Sequence, residues 1–379
     1  MNEPYQPLEA EIRRRIAVAG PMPVGQYVAT CLSHPRFGYY LTSEPIGAAG
    51  DFTTAPEISQ MFGELLGLWA GSVWRQMGSP AKVLLAELGP GRGSMMQDAL
   101  RAAHVMPEFR TAIEVHLIEI SPLLEERQRQ FAAGLGVPFH WHRSLREVPE
   151  GATIVLANEF FDALPVHQAV MCADGWHERV VKIDAGKKLC FGIARDPIPL
   201  FERLLPRGMQ AQIGAVFEWR TDQTALELGR RVRHSGGAAL VIDYGHARSG
   251  PGDTLQAVGR HSYADPLAAP GLVDLTAHVD FQALAEAAES MGANAYGPIE
   301  QGRFLRRLGI EQRAAALRSS APPSKVMEVE HALERLTGDD AGGMGKLFKV
   351  MAFGHPKLGP LPGFESLPEA KPARGTGTK

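Results

Sequence analysis

Short apolar runs bounded by polar turns punctuate the chain at residues 82–88, 113–119, 153–157 and 238–242. They are brief and rich in branched side chains, so each reads as a strand buried on both faces. Between them, apolar positions recur at helical spacing over 95–103, 122–134 and 222–234. Strand and helix alternate, which predicts a doubly wound α/β sheet. Residues 5–78 pattern mainly as helices and loops, with an amphipathic helix over 8–19. A second helix, over 61–76, gathers Leu65, Leu66, Leu68, Trp69, Val73 and Trp74 on a buried pattern. Asp174-Gly175 and Ala185-Gly186-Lys187 separate alternating segments, so hairpins follow the fourth strand over 166–195. Residues 249–275 are rich in Gly, Pro and Asp and lack periodicity, which predicts a long irregular loop. Helices are expected over 281–291, 304–317 and 326–336, with strands at 293–299 and 346–352, the last antiparallel. The expected organisation is an N-terminal helical region and lid (1–80), then a sheet domain (81–355), then a flexible tail (356–379). The sheet domain carries insertions near 166–208, 249–278 and 301–340.

Composition narrows the class. Of 379 residues 45% are hydrophobic and the net charge is −3, so no basic surface for nucleic acid or membrane is indicated. Cys31, Cys172 and Cys190 lack metal-ligand spacing and leave one over if paired, which favours free thiols in a reducing compartment. No apolar run approaches the length of a membrane span. Arg13-Arg14-Arg15 precedes a short apolar stretch, but Gly20-Pro21-Met22-Pro23 ends it too early for a signal peptide. The expected location is cytoplasmic, with no metal and an open oligomeric state.

The first strand leads into Glu87-Leu88-Gly89-Pro90-Gly91-Arg92-Gly93-Ser94 and then a helix. Glycines let a backbone approach a cofactor closely, and a helix start sits beneath it. The spacing is G-x-G-x-G rather than the G-x-G-x-x-G of dinucleotide sites, and it points to S-adenosylmethionine, which has no pyrophosphate to cradle. Glu119 ends the second strand, where a carboxylate can accept both ribose hydroxyls; an exposed strand-end acid is the alternative. Glu87 is placed to orient the methionine ammonium. Ser121-Pro122 starts the next helix, with Ser121 as its cap or as a cofactor contact.

Asn158-Glu159-Phe160-Phe161-Asp162 follows the fourth strand, on the edge where ligands of open α/β sheets sit. Asn158 is expected at the cofactor and Glu159 and Asp162 at the transferable group; Asp162 could instead cap a helix. Gly50 to Ser59 reads equally as a helix start and as a lid that sends Asp51 inward. Asp243 and Tyr244 end the fifth strand on the same face, and 274–280 could line an acceptor pocket. His278 there is a substrate-binding candidate, with helix capping as the alternative for His278 and Asp280. The polar, aromatic and acidic mix of this turn suits positioning a cationic or neutral nitrogen nucleophile. Paired carboxylates can orient it and take its proton. Glu159 is the first candidate for that base, with Asp162 or Asp51 as partner.

Together these stretches resemble the mitochondrial dysfunction protein A family, whose members are complex I assembly methyltransferases. The resemblance runs from about residue 10 to 355, through Gly50 to Gln60, Glu87 to Gly93, His116 to Pro122, Ala157 to Gln168, Ile242 to Gly245, Asp274 to Phe281, Gln301 to Ile310 and Gly345 to Ala352. Ser94 stands where many members carry Thr, which preserves a hydroxyl. The resemblance implies a Rossmann-like, seven-stranded class I methyltransferase fold using S-adenosyl-L-methionine. It also implies methylation of an arginine in a peripheral-arm subunit of respiratory complex I. A non-catalytic assembly chaperone and an NAD-dependent oxidoreductase are the rival readings; the second lacks both its glycine spacing and its acid.

Overall fold

The computed structural model describes residues 5–42, 54–259, 262–340 and 342–365. Seven strands build the central sheet: β1 (Val83–Leu88), β2 (Ile113–Ile118), β3 (Phe139–His142), β4 (Thr153–Asn158), β5 (Gly237–His246), β6 (Asn294–Glu300) and β7 (Phe348–Gly354). Their spatial order is β3-β2-β1-β4-β5-β7-β6. Strands β1 to β5 pair in parallel, while β7 enters antiparallel between β5 and β6. Two residues, Val279–Asp280, extend the sheet beside the end of β5. The chain leaves β1 toward β2 on one side and returns from β3 to β4 on the other. The crevice between β1 and β4 is therefore the topological switch point, where the strand-end loops splay apart.

All six residues of β1 are buried, as are all six of β4. Alternate residues face opposite layers. Val83, Leu85, Ile154 and Leu156 pack against helices α1 (Gln60–Gln76) and α2 (Ser94–Ala102). Leu84, Ala86, Val155 and Ala157 pack against α4 (Gln223–Ser235) and α5 (Phe281–Ser290). Helix α3 (Pro122–Ala132) follows β2. The N-terminal helices Pro7–Ala19 and Val24–Ser33 build another core with Val166, Val181, Ala257 and Leu275.

Several sequence expectations change. The loop expected over 249–275 is interrupted by strands: Gln256–Gly259 pairs antiparallel with Ser262–Ala264 and with Asp274–Thr276. Alternation over strands this short is invisible in one sequence. The N-terminal region is not purely helical, because Met22–Pro23 pairs with Val180 and Val181 of the inserted hairpins. The helix expected over 304–317 breaks at Gly309, whose φ is +91°, into Gln301–Arg307 and Ile310–Ser320. The first residues assigned to a flexible tail are docked: Leu361 is fully buried, and the Trp69 indole donates to the Pro362 carbonyl at 3.1 Å.

Candidate active site

The strand ends at the switch point open into a cavity of about 420 Å³. Glu87, Gly89 and Gly91 from the β1 side and Asn158, Glu159 and Asp162 from the β4 side all line it. Gly89, Gly91 and Gly93 have φ of +61°, +54° and +83°, in the left-handed region where other residues are strained. A Cβ on Gly93 would also collide with the Phe131 ring, although Gly93 itself is not on the cavity wall. At the α2 start Glu57, also on the cavity wall, accepts the Ser94 hydroxyl at 2.5 Å and pairs with Arg92 at 3.6 Å.

Glu87 and Glu119 form the acidic end of the cavity. Burial, reinforced by Glu119, pushes the Glu87 carboxyl up to about 8, and its Oε2 is buried with no hydrogen-bond partner among the described residues. Glu119 accepts the Ser121 backbone N–H at 2.8 Å and the Gln128 amide at 3.2 Å. Burial outweighs these bonds and raises its pKa. Gln128 also donates to the Gly91 carbonyl at 2.7 Å and accepts the Trp141 indole N–H at 3.0 Å. It thus ties the glycine turn to the β2 acid. Nothing in the Glu-Arg-Gln-Arg-Gln stretch of α3 distinguishes this glutamine in sequence. The Ser121 hydroxyl does not reach the cavity as a cofactor contact would: it is fully buried and caps α3 by accepting the Leu124 N–H.

The opposite wall is the turn after β4. Glu159 has φ +50°, a rare conformation for a long side chain and a local store of strain. Its N–H donates to the Ile242 carbonyl at 2.9 Å. Its Oε1 accepts the Ala55 N–H at 3.1 Å and the Asn158 amide at 3.0 Å. Burial, reinforced by Asp162, pushes its carboxyl up to about 7 despite those bonds. Asp162 is also raised by burial, opposed by Arg220 and the Tyr244 hydroxyl, and its Oδ1 has no partner among the described residues.

Asp243 does not have the substrate-contact role expected of it. Its Oδ2 accepts the N–H groups of Phe160, Phe161 and Asp162 at 2.9–3.2 Å, and its Oδ1 accepts that of Tyr244 at 2.9 Å. Both oxygens are occupied below the cavity floor, so Asp243 shapes the acidic turn. Arg220, which no sequence motif marks, works beside it. Its guanidinium donates to the carbonyls of Asp162, Leu164, Ala277 and His278 at 2.6–3.2 Å. Tyr244 and His278 do line the cavity, ring against ring at 5.6 Å. Burial lowers the His278 pKa and keeps it neutral. Asp280 caps α5 through the Ala283 N–H. Asp51 lies outside the described residues.

Among the described residues one metal-capable group stands apart from the cavity. Glu114, His116 and His140 place ligand atoms within 4.8 Å of one another, with Glu114 paired to Lys82 at 2.7 Å. Chain spacing could not reveal it, because His116 and His140 meet only as register partners of β2 and β3.

Over residues 65–299 the chain matches the model of a family described as S-adenosyl-L-methionine-dependent methyltransferase. It is 36% identical over 375 residues to the mitochondrial protein arginine methyltransferase NDUFAF7 homolog of Drosophila melanogaster, covering 91% of this chain and 84% of that protein. Mitochondrial protein arginine methyltransferase NDUFAF7 of Homo sapiens is 36% identical over 346 residues, covering 83% and 76%. A Burkholderia thailandensis structure bound to S-adenosyl-homocysteine aligns with TM-score 0.81 at 31% identity over 94% of each chain. The cytoplasmic expectation is overturned by these relatives, which are mitochondrial proteins. It had rested on the lack of a recognisable presequence, which does not define a compartment. Among the described residues no helix is long and apolar enough to cross a membrane.

Proposed function

The chain belongs to the S-adenosyl-L-methionine-dependent methyltransferase family, and from that premise we propose that it methylates an arginine of a respiratory complex I peripheral-arm subunit during assembly. The observation that carries the acceptor class is the pair of carboxylates on one turn lining the cavity with the glycine cradle, Glu159 half-buried and Asp162 buried, both raised in pKa by burial. The relatives' names as protein arginine methyltransferases support the same choice.

The cavity's chemistry suits the cofactor. S-adenosyl-L-methionine carries an ammonium and ribose hydroxyls, and the cavity offers Glu87 Oε2 on the β1 side and Asn158 Oδ1 on the β4 side, buried acceptors without a donor among the described residues. Glu87 would take the ammonium and Glu119 the ribose, with Gly89 and Gly91 giving room for close backbone approach. When bound, the cofactor supplies an electrophilic methyl group on a sulfonium.

Glu159 and Asp162 would hold the planar guanidinium through paired N–H···O bonds. That fixes one nitrogen toward the methyl group and replaces water around it. The nitrogen must shed a proton as it gains the methyl, and Glu159, titrating near 7, is matched to accept it at neutral pH. Arg220 behind Asp162 partly offsets the crowding of negative charge that Glu159, Asp162 and Asp243 create.

The test incubates the purified protein with methyl-labelled cofactor and isolated peripheral-arm subunits, followed by acid hydrolysis. Label should be recovered as methylarginine. Binding without any labelled product would favour the assembly-chaperone reading, and label on another residue type would overturn the arginine assignment.

A further inference from the structure

The histidine cluster at the edge of the central sheet takes no part in the methyl-transfer site. β3 is an edge strand, joined to β2 by four register pairs. Residues two apart on a strand share a face, and His116 on β2 is the register partner of His140 on β3. Glu114, His116, His140 and His142 therefore project from one side of the sheet. Val115, Leu117, Phe139 and Trp141 project from the other and pack with the main core. None of the four polar residues lines the substrate cavity.

His116 is the buried member of the group. It is 2% exposed, and its Nε2 has no hydrogen-bond partner among the described residues. Its Nδ1 lies 2.9 Å from His142 Nε2. When His116 donates that bond, Nε2 keeps a bare lone pair, the tautomer of a metal-bound histidine whose far nitrogen is held by a second residue. Burial, then His140 and His142, hold its pKa down at about 4, so the ring is neutral. A polar stripe that only discourages edge pairing needs exposed charges, not a buried ring nitrogen left without a partner. Glu114 and His140 bring further donors, all within 4.8 Å of one another, with Glu114 Oε2 4.0 Å from His140 Nε2. Tetrahedral zinc, with bonds of about 2.0–2.2 Å, sets its ligand atoms about 3.3 Å apart, so the group must close by roughly 1.5 Å. The His140 side chain is 48% exposed and has room to make that movement. Lys82 competes for the carboxylate: its exposed ammonium pairs with Glu114 Oε2 at 2.7 Å.

We propose that Glu114, His116 and His140 bind a divalent transition ion of the zinc class, with water as fourth ligand, and that the ion clips edge strand β3 to β2. Two imidazoles and one carboxylate favour such an ion over magnesium or calcium, which take oxygen donors. The clipped strand carries Trp141, whose indole donates to Gln128, the residue that ties the glycine turn to Glu119. The ion is structural, and its site stands independently of the arginine reading.

The experiment titrates zinc sulfate by calorimetry into the full chain, prepared without a polyhistidine tag and stripped with chelator. The wild type should take up one equivalent with micromolar or tighter affinity, and magnesium should give no heat. H140A removes an exposed ring and leaves the core intact; it and E114Q should each weaken zinc binding at least tenfold. K82M, which frees Glu114 from its ammonium, should tighten binding at least threefold. Cobalt in place of zinc should show ligand-field absorption without a thiolate charge-transfer band. Zinc should raise the melting temperature of the wild type but not of H140A, and should slow amide exchange over residues 139–142. A wild type that takes up no zinc overturns the proposal, as does H140A binding zinc as tightly as the wild type. A thiolate band would place the ion at a cysteine and overturn it too. Binding that leaves exchange over 139–142 unchanged overturns the clip.

Discussion

Replacing Glu159 by Gln separates its chemical role from its structural one. The amide retains an oxygen to accept the Ala55 N–H and the Asn158 amide, so the turn keeps both of its bonds. It removes a carboxylate that burial and Asp162 hold at about 7 instead of 4.5. That rise corresponds to about 3 kcal/mol of preference for the uncharged form, an upper bound on what neutralisation returns to the fold at alkaline pH. Stability should therefore hold or increase in E159Q, most clearly at pH 8, where the wild-type carboxylate is ionised. The rate should move oppositely. Loss of a general base costs about 10²–10⁴-fold, or roughly 3–5 kcal/mol in the barrier. The wild-type kcat should climb with pH up to about 7 as Glu159 loses its proton and then level, while E159Q stays low and flat through that range. The assay pairs a single-turnover methyl-transfer pH series with thermal melts at pH 6 and 8. A variant that keeps the rate and its pH profile would refute the base assignment. One that loses rate and stability together would show that Glu159 merely holds the turn.

Three other perturbations probe the surrounding frame. In G93A the left-handed φ of +83° and the collision with Phe131 add backbone strain to overpacking. Together they cost about 2–5 kcal/mol, so melting should drop and S-adenosyl-homocysteine should bind at least tenfold more weakly by calorimetry. D243A strips the acceptor from four backbone N–H groups at the root of the acidic turn. Urea unfolding should show a loss of about 3 kcal/mol or more, and D243N a smaller one, because an unpaired buried group costs about 1–3 kcal/mol. E87Q tests the cofactor end through pH. The folded pKa of Glu87, about 8, lies above its ordinary 4.5, so the stability tied to its bound proton is lost as pH rises through 8. The melting advantage of E87Q over the wild type should widen from pH 6 to pH 9, while its affinity for S-adenosyl-homocysteine falls about tenfold at neutral pH; equal melting shifts at both would contradict the buried-acid account.

The central sheet was legible because β1, β2, β4 and β5 are buried on both faces, and burial leaves continuous apolar runs. The glycine turn and its flanking acids were legible for a related reason: their residue types are dictated by backbone geometry and strand ends. The small sheet built from Gln256–Gly259, Ser262–Ala264 and Asp274–Thr276 was not, since its strands are three or four residues long and their partners lie across turns. Asp243 shows a different limit. An acid at the end of a strand looks the same in sequence whether it faces a ligand or gathers four amides beneath a loop. Gln128 and Arg220 were missed for the same cause, because both act on backbone groups whose identity depends on tertiary contact.

The central claim is that the turn after β4 holds the acceptor arginine against the methyl donor. A crystal structure with S-adenosyl-homocysteine and an arginine-bearing acceptor tests it most directly. The account predicts guanidino nitrogens at hydrogen-bond distance, about 3 Å, from the carboxylates of both Glu159 and Asp162, with Glu87 at the cofactor's ammonium. A guanidinium seated away from Glu159 and Asp162, with the cofactor in place, would contradict it.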